Sequence, residues 1–235
     1  MAKRERERWL IACEYSGRVR DAFIRHGHDA MSCDLLPTDV PGPHYRGDVR
    51  DIIDQEWDGM VAHPDCTFLC SSGLHWNQNP KSPRFGGAQT ETALEFVQLL
   101  LDANIPKIAL ENPIGCIGTR IRPADQCVQP WMFGDDASKS TCFWLKNLPL
   151  LVPTKIVPPT YRCRCGERFP ETAGEYGCPN CFGDLPAKAI WANQTPSGQN
   201  NLGPSKDRWK LRSTTYLGMA DAMAATWGTY QGDEL

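Results

Sequence analysis

A chain of 235 residues, 41% hydrophobic and 23% charged, is long enough for one sheet-based core with a small attached lobe, and its composition excludes a disordered, collagenous or coiled-coil chain. Its formal net charge of -3 gives no global reason for a polyanionic partner, and no apolar run approaches the ~18 residues of a membrane span. The charged stretch Lys3 to Arg8 runs straight into Trp9-Leu10-Ile11 with no signal-peptide core, so the expected compartment is the cytoplasm, and the eleven cysteines read as reduced thiols and metal ligands.

In chain order, short apolar runs at Trp9–Cys13, Asp29–Cys33, Met60–Ala62, Lys107–Leu110 and Cys142–Leu145 read as strands. Arg18 to His26 reads as a first helix ended by Gly27. Segment 78–87 reads as a mobile surface loop. In 88–103 the residues Ala93, Phe96, Val97, Leu100 and Leu101 share one helix face, and Met219, Ala220, Met223, Ala224 and Trp227 do so near the C-terminus. Strands alternating with helices predict an α/β protein whose mostly parallel sheet carries helices on both faces, with its ligands at the carboxyl ends of the strands. The rhythm breaks after Leu151. Residues 151–212 are rich in Pro, Gly, Asn and Gln and read as a small lobe inserted into a core of 1–150 and 213–235.

That lobe holds Cys163, Cys165, Cys178 and Cys181, two close pairs separated by 12 residues, which can give four thiolates to one structural Zn²⁺ in a zinc-ribbon-like arrangement. Arg162, Arg164 and Arg168 surround the first pair. Lys206, Arg208, Trp209, Lys210 and Arg212 form a second basic stretch with an interleaved indole, suited to a phosphate backbone and stacked bases or, more plainly, to a solvated face. In the core, Cys66 follows an apolar run and a Pro64 turn, the place for a nucleophile at a strand's carboxyl end. Two other readings stay open there: His63, Cys66, Cys70 and His75 as a metal set, or buried inert thiols. Glu111, in Glu111-Asn112-Pro113 after a further strand, falls on the same rim.

These motifs, in this order, resemble those of the DNA (cytosine-5) methyltransferases, in a compact form similar to those encoded by bacteriophages. The resemblance rests on Leu10 to Gly17, Cys33-Asp34, Gly47-Asp48-Val49, His63-Pro64-Asp65-Cys66, Glu111-Asn112-Pro113, Ser138 to Trp144 and Tyr216 to Met223. It implies a Rossmann-like methyltransferase sheet, S-adenosylmethionine as cofactor, and double-stranded DNA as partner, with the 151–212 lobe in the place of target recognition. It further implies that Cys66 adds to C6 of a flipped cytosine, that Glu111 serves N3 and N4, and that Lys139 serves O2. Ser16, Gly17, Asp34, Asp48 and Pro64 would line the cofactor site. The sequence departs from the family at Asp65, where a second proline is common, at Thr67, where glutamine is common, and in a first loop thinned to Ser16-Gly17. A carboxylate beside Cys66 is expected to raise its thiol pKa. Three rivals remain: an amino-methyltransferase, a related cytosine-C5 enzyme using another one-carbon donor or RNA, and a zinc-ribbon nucleic-acid binder on an inactive scaffold.

Overall fold

The computed structural model describes residues 6–170, 177–183, 188–195 and 197–230. The ends 1–5 and 231–235 of the expected core, and 171–176, 184–187 and 196 of the expected lobe, lie outside the described residues. In chain order the elements are β1 (Arg8–Ala12), α1 (Arg18–Arg25), β2 (Asp29–Asp34), β3 (His44–Arg46), β4 (Gly59–Ala62), α2 (Ser71–Leu74), α3 (Ala88–Leu101), β5 (Lys107–Pro113) and α4 (Ile117–Arg120). There follow β6 (Gln126–Val128), β7 (Thr141–Lys146), β8 (Thr160–Arg162), β9 (Arg168–Pro170), α5 (Arg208–Ser213) and α6 (Leu217–Trp227). Two compact units result. One comprises 1–128, 140–152 and 220–235, the other 129–139 and 153–219.

The first unit is a seven-stranded mixed sheet of order β3-β2-β1-β4-β5-β7-β6, the strand order of the Rossmann-like methyltransferases. The pairs from β3 to β5 are parallel, and β7 runs antiparallel to both β5 and β6. Strand alternation sorts the core into two layers. Leu10, Ala12, Met60, Ala62, Ile108, Leu110 and Trp144 pack with Leu94, Val97 and Leu100 of α3. On the opposite face Trp9 meets Phe23 of α1 at 4.5 Å between centroids, and Phe143 meets Trp227 of α6 at 5.4 Å. Helices therefore cover both faces, as the sequence predicts. The face of α3 is centred slightly differently: Thr90, Leu94, Val97 and Leu100 are its buried residues, while Phe96 turns to its rim under the Arg50 guanidinium.

β3 and β6 are not among the expected strands. Each is three residues long and only partly buried, too short to show a period. β5 also runs on through Pro113, because β7 pairs beside it as far as Pro113↔Thr141, and proline in last position removes no hydrogen bond the strand needs. Segment 78–87 is a chain of tight turns tied by Arg84, whose guanidinium donates to Thr67 O at 3.1 Å and lies over the Phe68 ring.

The second unit has the β8–β9 hairpin at its centre, with Arg162 opposite Arg168. It is larger than the expected lobe, since residues 129–139 and 213–219 join it: Trp131 stacks on Trp191 at 5.5 Å, and Ser138 and Asn193 exchange two hydrogen bonds of 2.9 Å. Among the described residues no helix is long and apolar enough to cross a membrane.

The turn after β4 lies against the loop after β5. Cys116 N donates to Leu69 O and Ser71 N to Ile114 O, and at Gly115 a Cβ would run into the Leu69 carbonyl. Only glycine allows this approach of two backbones. Gly115→Ala should destabilise the protein by roughly 1–3 kcal/mol, as overpacking at a rigid contact does, measured as a lowered urea midpoint. An unchanged midpoint would contradict it.

Candidate functional site

The parallel register Ala12↔Ala62 and Ala62↔Leu110 brings the ends of β1, β4 and β5 to one rim. His63, Pro64, Asp65 and Cys66 follow β4 there, and Glu111 and Asn112 lie on the last residues of β5. Two side-chain contacts tie the segments. Buried Asn112 donates from Nδ2 to Pro64 O at 2.8 Å, and His63 Nδ1 lies 3.3 Å from Glu111 Oε2. Asp65 accepts from the Thr67 backbone and hydroxyl at 2.9 and 2.6 Å, an Asx turn that sets the chain direction into Cys66.

The chain then winds once, with Leu69 N and Cys70 N both donating to Cys66 O. One helical turn puts residues four apart on the same side, so Cys70 becomes a neighbour of Cys66. The Cys66 thiol is consequently pushed well above its ordinary pKa, first by its hydrogen bond with Cys70, then by burial, then by the negative charges of Cys70, Asp65 and Glu111. Asp65 does raise it, as expected, but Cys70 and burial do more. A thiol so raised is protonated at neutral pH, and its reactivity rises with pH as the proton leaves.

The metal set His63, Cys66, Cys70 and His75 is not formed: among the described residues the one group able to hold a metal ion is Cys163, Cys165, Cys178 and Cys181. His75 instead opens a separate tight turn and packs on Trp76 at 4.6 Å.

On the same rim, Ser16 and Gly17 form the turn from β1 into α1, with Gly17 at φ +73°. Gly17 has no side chain to cap the helix, and buried Glu14 does so instead. Its carboxylate accepts from Val19 N at 2.8 Å, Arg20 N at 3.3 Å and Ser16 Oγ at 3.0 Å. Arg20, fully buried, spans from α1 to the loop after β2, donating to Ser32, Thr38, Val40 and Pro41 and pairing with Asp21. Sequence reasoning passes over both residues. A carboxylate three residues ahead of a helical run that opens on Gly17 is a readable signal for Glu14; nothing local announces Arg20. Asp34 ends β2 and accepts from Leu36 N at 2.9 Å; burial raises its carboxyl and that bond opposes the rise. Asp48 caps the tight turn Val49–Asp51 through Arg50 N and pairs with the Arg50 guanidinium at 2.8 Å. Acids at the ends of successive parallel strands, beside a strand-to-helix turn, suit the hydroxyls and amine of a nucleoside.

In the second unit the four sulfurs all lie within 4.8 Å of one another. The pairs Cys163–Cys181 and Cys165–Cys178 stand at 3.4 and 3.7 Å. Sulfurs about 2.3 Å from a tetrahedral zinc lie about 3.8 Å apart, so the set fits such an ion. Cys163 and Cys165 sit on one tight turn, where Gly166 N returns to Cys163 O, and Cys178 and Cys181 on another, where Phe182 N returns to Cys178 O. The backbone N–H of Glu167 is the main influence that lowers Cys165 to about 7. Arg162 and Arg164 are exposed. Arg168 also braces its unit, on Asp136 at 2.8 Å and Thr160. Lys206, Trp209 and Arg212 are exposed, Lys210 lies 5.7 Å from the Trp209 ring, and Arg208 donates to Leu202 O. Lys139 precedes β7 by two residues and belongs to the second unit, its backbone N–H held by Gln129 at 2.8 Å.

No family model matches the chain, and no curated protein matches its sequence. Among solved structures it is similar to the S. pombe Dnmt2 methyltransferase, at 14% identity over 60% of this chain and 48% of that one, with a TM-score of 0.36. It is also similar to the Entamoeba histolytica methyltransferase EhMeth, at 13% identity over 66% and 58%, with a TM-score of 0.43. The chain thus spans about half the length of each.

Replacing Cys70 by Ser removes the group that raises Cys66 most. Alkylation of Cys66 by iodoacetamide at pH 8, followed by peptide mass, should then quicken on the order of threefold or more. Slower alkylation would contradict the assigned cause.

Proposed function

We propose that the protein is a DNA cytosine-5 methyltransferase that uses S-adenosylmethionine. The observation that carries this reading is the meeting of Cys66 and Glu111 at the ends of neighbouring parallel strands, joined by the His63–Glu111 and Asn112–Pro64 contacts. Cytosine C5 is a weak nucleophile until a group adds at C6, and a thiolate is suited to add there. The Cys66 thiol gives up its proton to water and Sγ then forms the bond to C6, while Glu111 gives a proton to N3, which takes up the electron pair displaced through C4. Lys139 is assigned the base's O2 from the sequence alone. After transfer, water takes the C5 proton, its bonding pair re-forms C5–C6 and expels Cys66 as a thiolate, and the N3 proton returns to Glu111, which restores the ring. The bound cofactor supplies the electrophilic methyl group. Ser16 and Gly17 would hold its methionine end, Asp34 its ribose hydroxyls, Asp48 its adenine amine, and Pro64 would border it.

A base inside a duplex must be flipped to reach such a site. We assign residues 151–212 to target recognition, with Arg162, Arg164, Arg168, Lys206, Arg208, Trp209, Lys210 and Arg212 as the DNA contacts and one structural Zn²⁺ on the four cysteines. A second unit with so few strands of its own gains its order from that ion. Purified protein should therefore contain about one zinc per chain, and Cys165→Ser should lose it together with DNA binding. Metal-free protein that binds DNA equally well would refute the zinc assignment.

The direct test is transfer of a labelled methyl group from S-adenosylmethionine to duplex DNA of mixed sequence, with analysis of the bases. Label is expected in 5-methylcytosine. Cys66→Ala should abolish it, and Glu111→Gln should slow it on the order of 10²-fold, because a neutral amide cannot exchange the N3 proton. Label on an exocyclic nitrogen, or DNA binding without transfer, would instead support an amino-methyltransferase or an inactive scaffold.

A further inference from the structure

His63 is the first residue after β4, and its position is fixed at both ends. Its backbone N–H donates to Ala12 O at 2.9 Å, and its Nδ1 lies 3.3 Å from Glu111 Oε2. The two side chains are only 9% and 12% exposed, and His63 Nε2 is buried with no hydrogen-bond partner among the described residues. Glu111 is therefore the polar group that orients this imidazole. A carboxylate oxygen only accepts, so against ionised Glu111 the ring must carry its hydrogen on Nδ1.

We infer that His63 is a positioning residue for Glu111: by donating from Nδ1 to Oε2 it keeps that oxygen an acceptor, so the acidic proton of Glu111 is carried on Oε1, directed to the base. The inference rests on the proposed cytosine chemistry and adds a residue to it. Cys66 first loses its thiol proton to water; as Sγ then bonds to C6, the C5–C6 pair shifts to C5–C4, the C4–N3 pair moves onto N3, and N3 takes the Oε1 proton. Glu111 is left ionised, the state in which its bond from His63 Nδ1–H is strongest, because hydrogen bonds to charged acceptors exceed those to neutral ones. His63 thereby favours the adduct over the free base. Reversal returns the proton to Oε1 as Cys66 departs. Nothing leaves or enters the pair besides that proton.

The adduct can be followed without cofactor. Once Cys66 has added, C5 accepts a solvent proton, and its original hydrogen is lost on elimination, so DNA tritiated at cytosine C5 releases tritium to water. His63→Ala should slow this release on the order of 10²-fold, with the DNA concentration for half-maximal rate changed less than about threefold. His63→Asn places an amide N–H where Nδ1–H stood and should recover to within about tenfold of the wild-type rate, whereas His63→Gln, whose amide reaches the Nε2 position, should stay near the alanine variant. Equal rates for His63→Ala and wild type, or equal rates for the Asn and Gln variants, would overturn the inference. If His63→Ala fails to fold by circular dichroism, the comparison of Asn with Gln decides alone. Wild-type protein that neither releases tritium nor transfers methyl would overturn the reading of the site itself, and with it the role of His63.

Discussion

A buried hydrogen bond from Asn112 Nδ2 to Pro64 O holds the two halves of the candidate site together. It links the last residues of β5 to the turn after β4 at the level where parallel pairing ends with Ala62↔Leu110. It is the buried side-chain tie between the segments that follow the two strands, beside the backbone hydrogen bonds from Cys116 to Leu69 and from Ser71 to Ile114. With it, and with the Leu69–Cys116 hydrogen bond behind, Cys66 and Glu111 are carried on segments that cannot separate without exposing paired polar groups. A site that must bring a nucleophile and a proton donor to adjacent atoms of one ring gains from that rigidity, since little reorganisation is left for the moment of reaction.

The same rim carries a second device, of opposite chemical character. Glu14 caps α1 from outside the helix, and Arg20, emerging from the helix's first turn, holds the loop that follows β2. A buried carboxylate and a buried guanidinium thus fix the two chain reversals that flank Ser16, Gly17 and Asp34. Each charge is satisfied by several hydrogen bonds, which is what permits its burial. The thiol side of the site is different. Cys66 stands among Cys70, Asp65 and Glu111, all of which oppose the thiolate. A thiol in these surroundings is protonated at rest and becomes more reactive as the pH rises.

Much of this was legible from sequence because it is local. Apolar runs of three to five residues point to the central strands, one-sided periodicity to α3 and α6, and the paired cysteines to the cluster whose sulfurs lie within 4.8 Å of one another. Glu111 and Cys66 could be placed on one rim because strand ends in a parallel sheet share an edge. What escaped is lateral or too short. β3 and β6 are defined by partners, not by pattern; residues 129–139 join the second unit through the Trp131–Trp191 stack. The contact of Cys70 with Cys66 depends on the single turn that the chain winds between them, and the contact of His63 with Glu111 spans 48 residues of sequence. Charge alone also does not announce that Arg168, exposed as it is, braces its unit on Asp136.

The central claim, that Cys66 is the nucleophile of a cytosine-C5 reaction, is most directly tested with duplex DNA in which the cytosines carry fluorine at C5. After methyl transfer no C5 proton remains to be removed, so the thioether at C6 cannot be released. Incubation with S-adenosylmethionine should give a protein–DNA adduct that survives denaturation and maps, by peptide mass, to Cys66. An adduct mapping to Cys70, or no adduct from protein that methylates ordinary cytosine at C5, would contradict it.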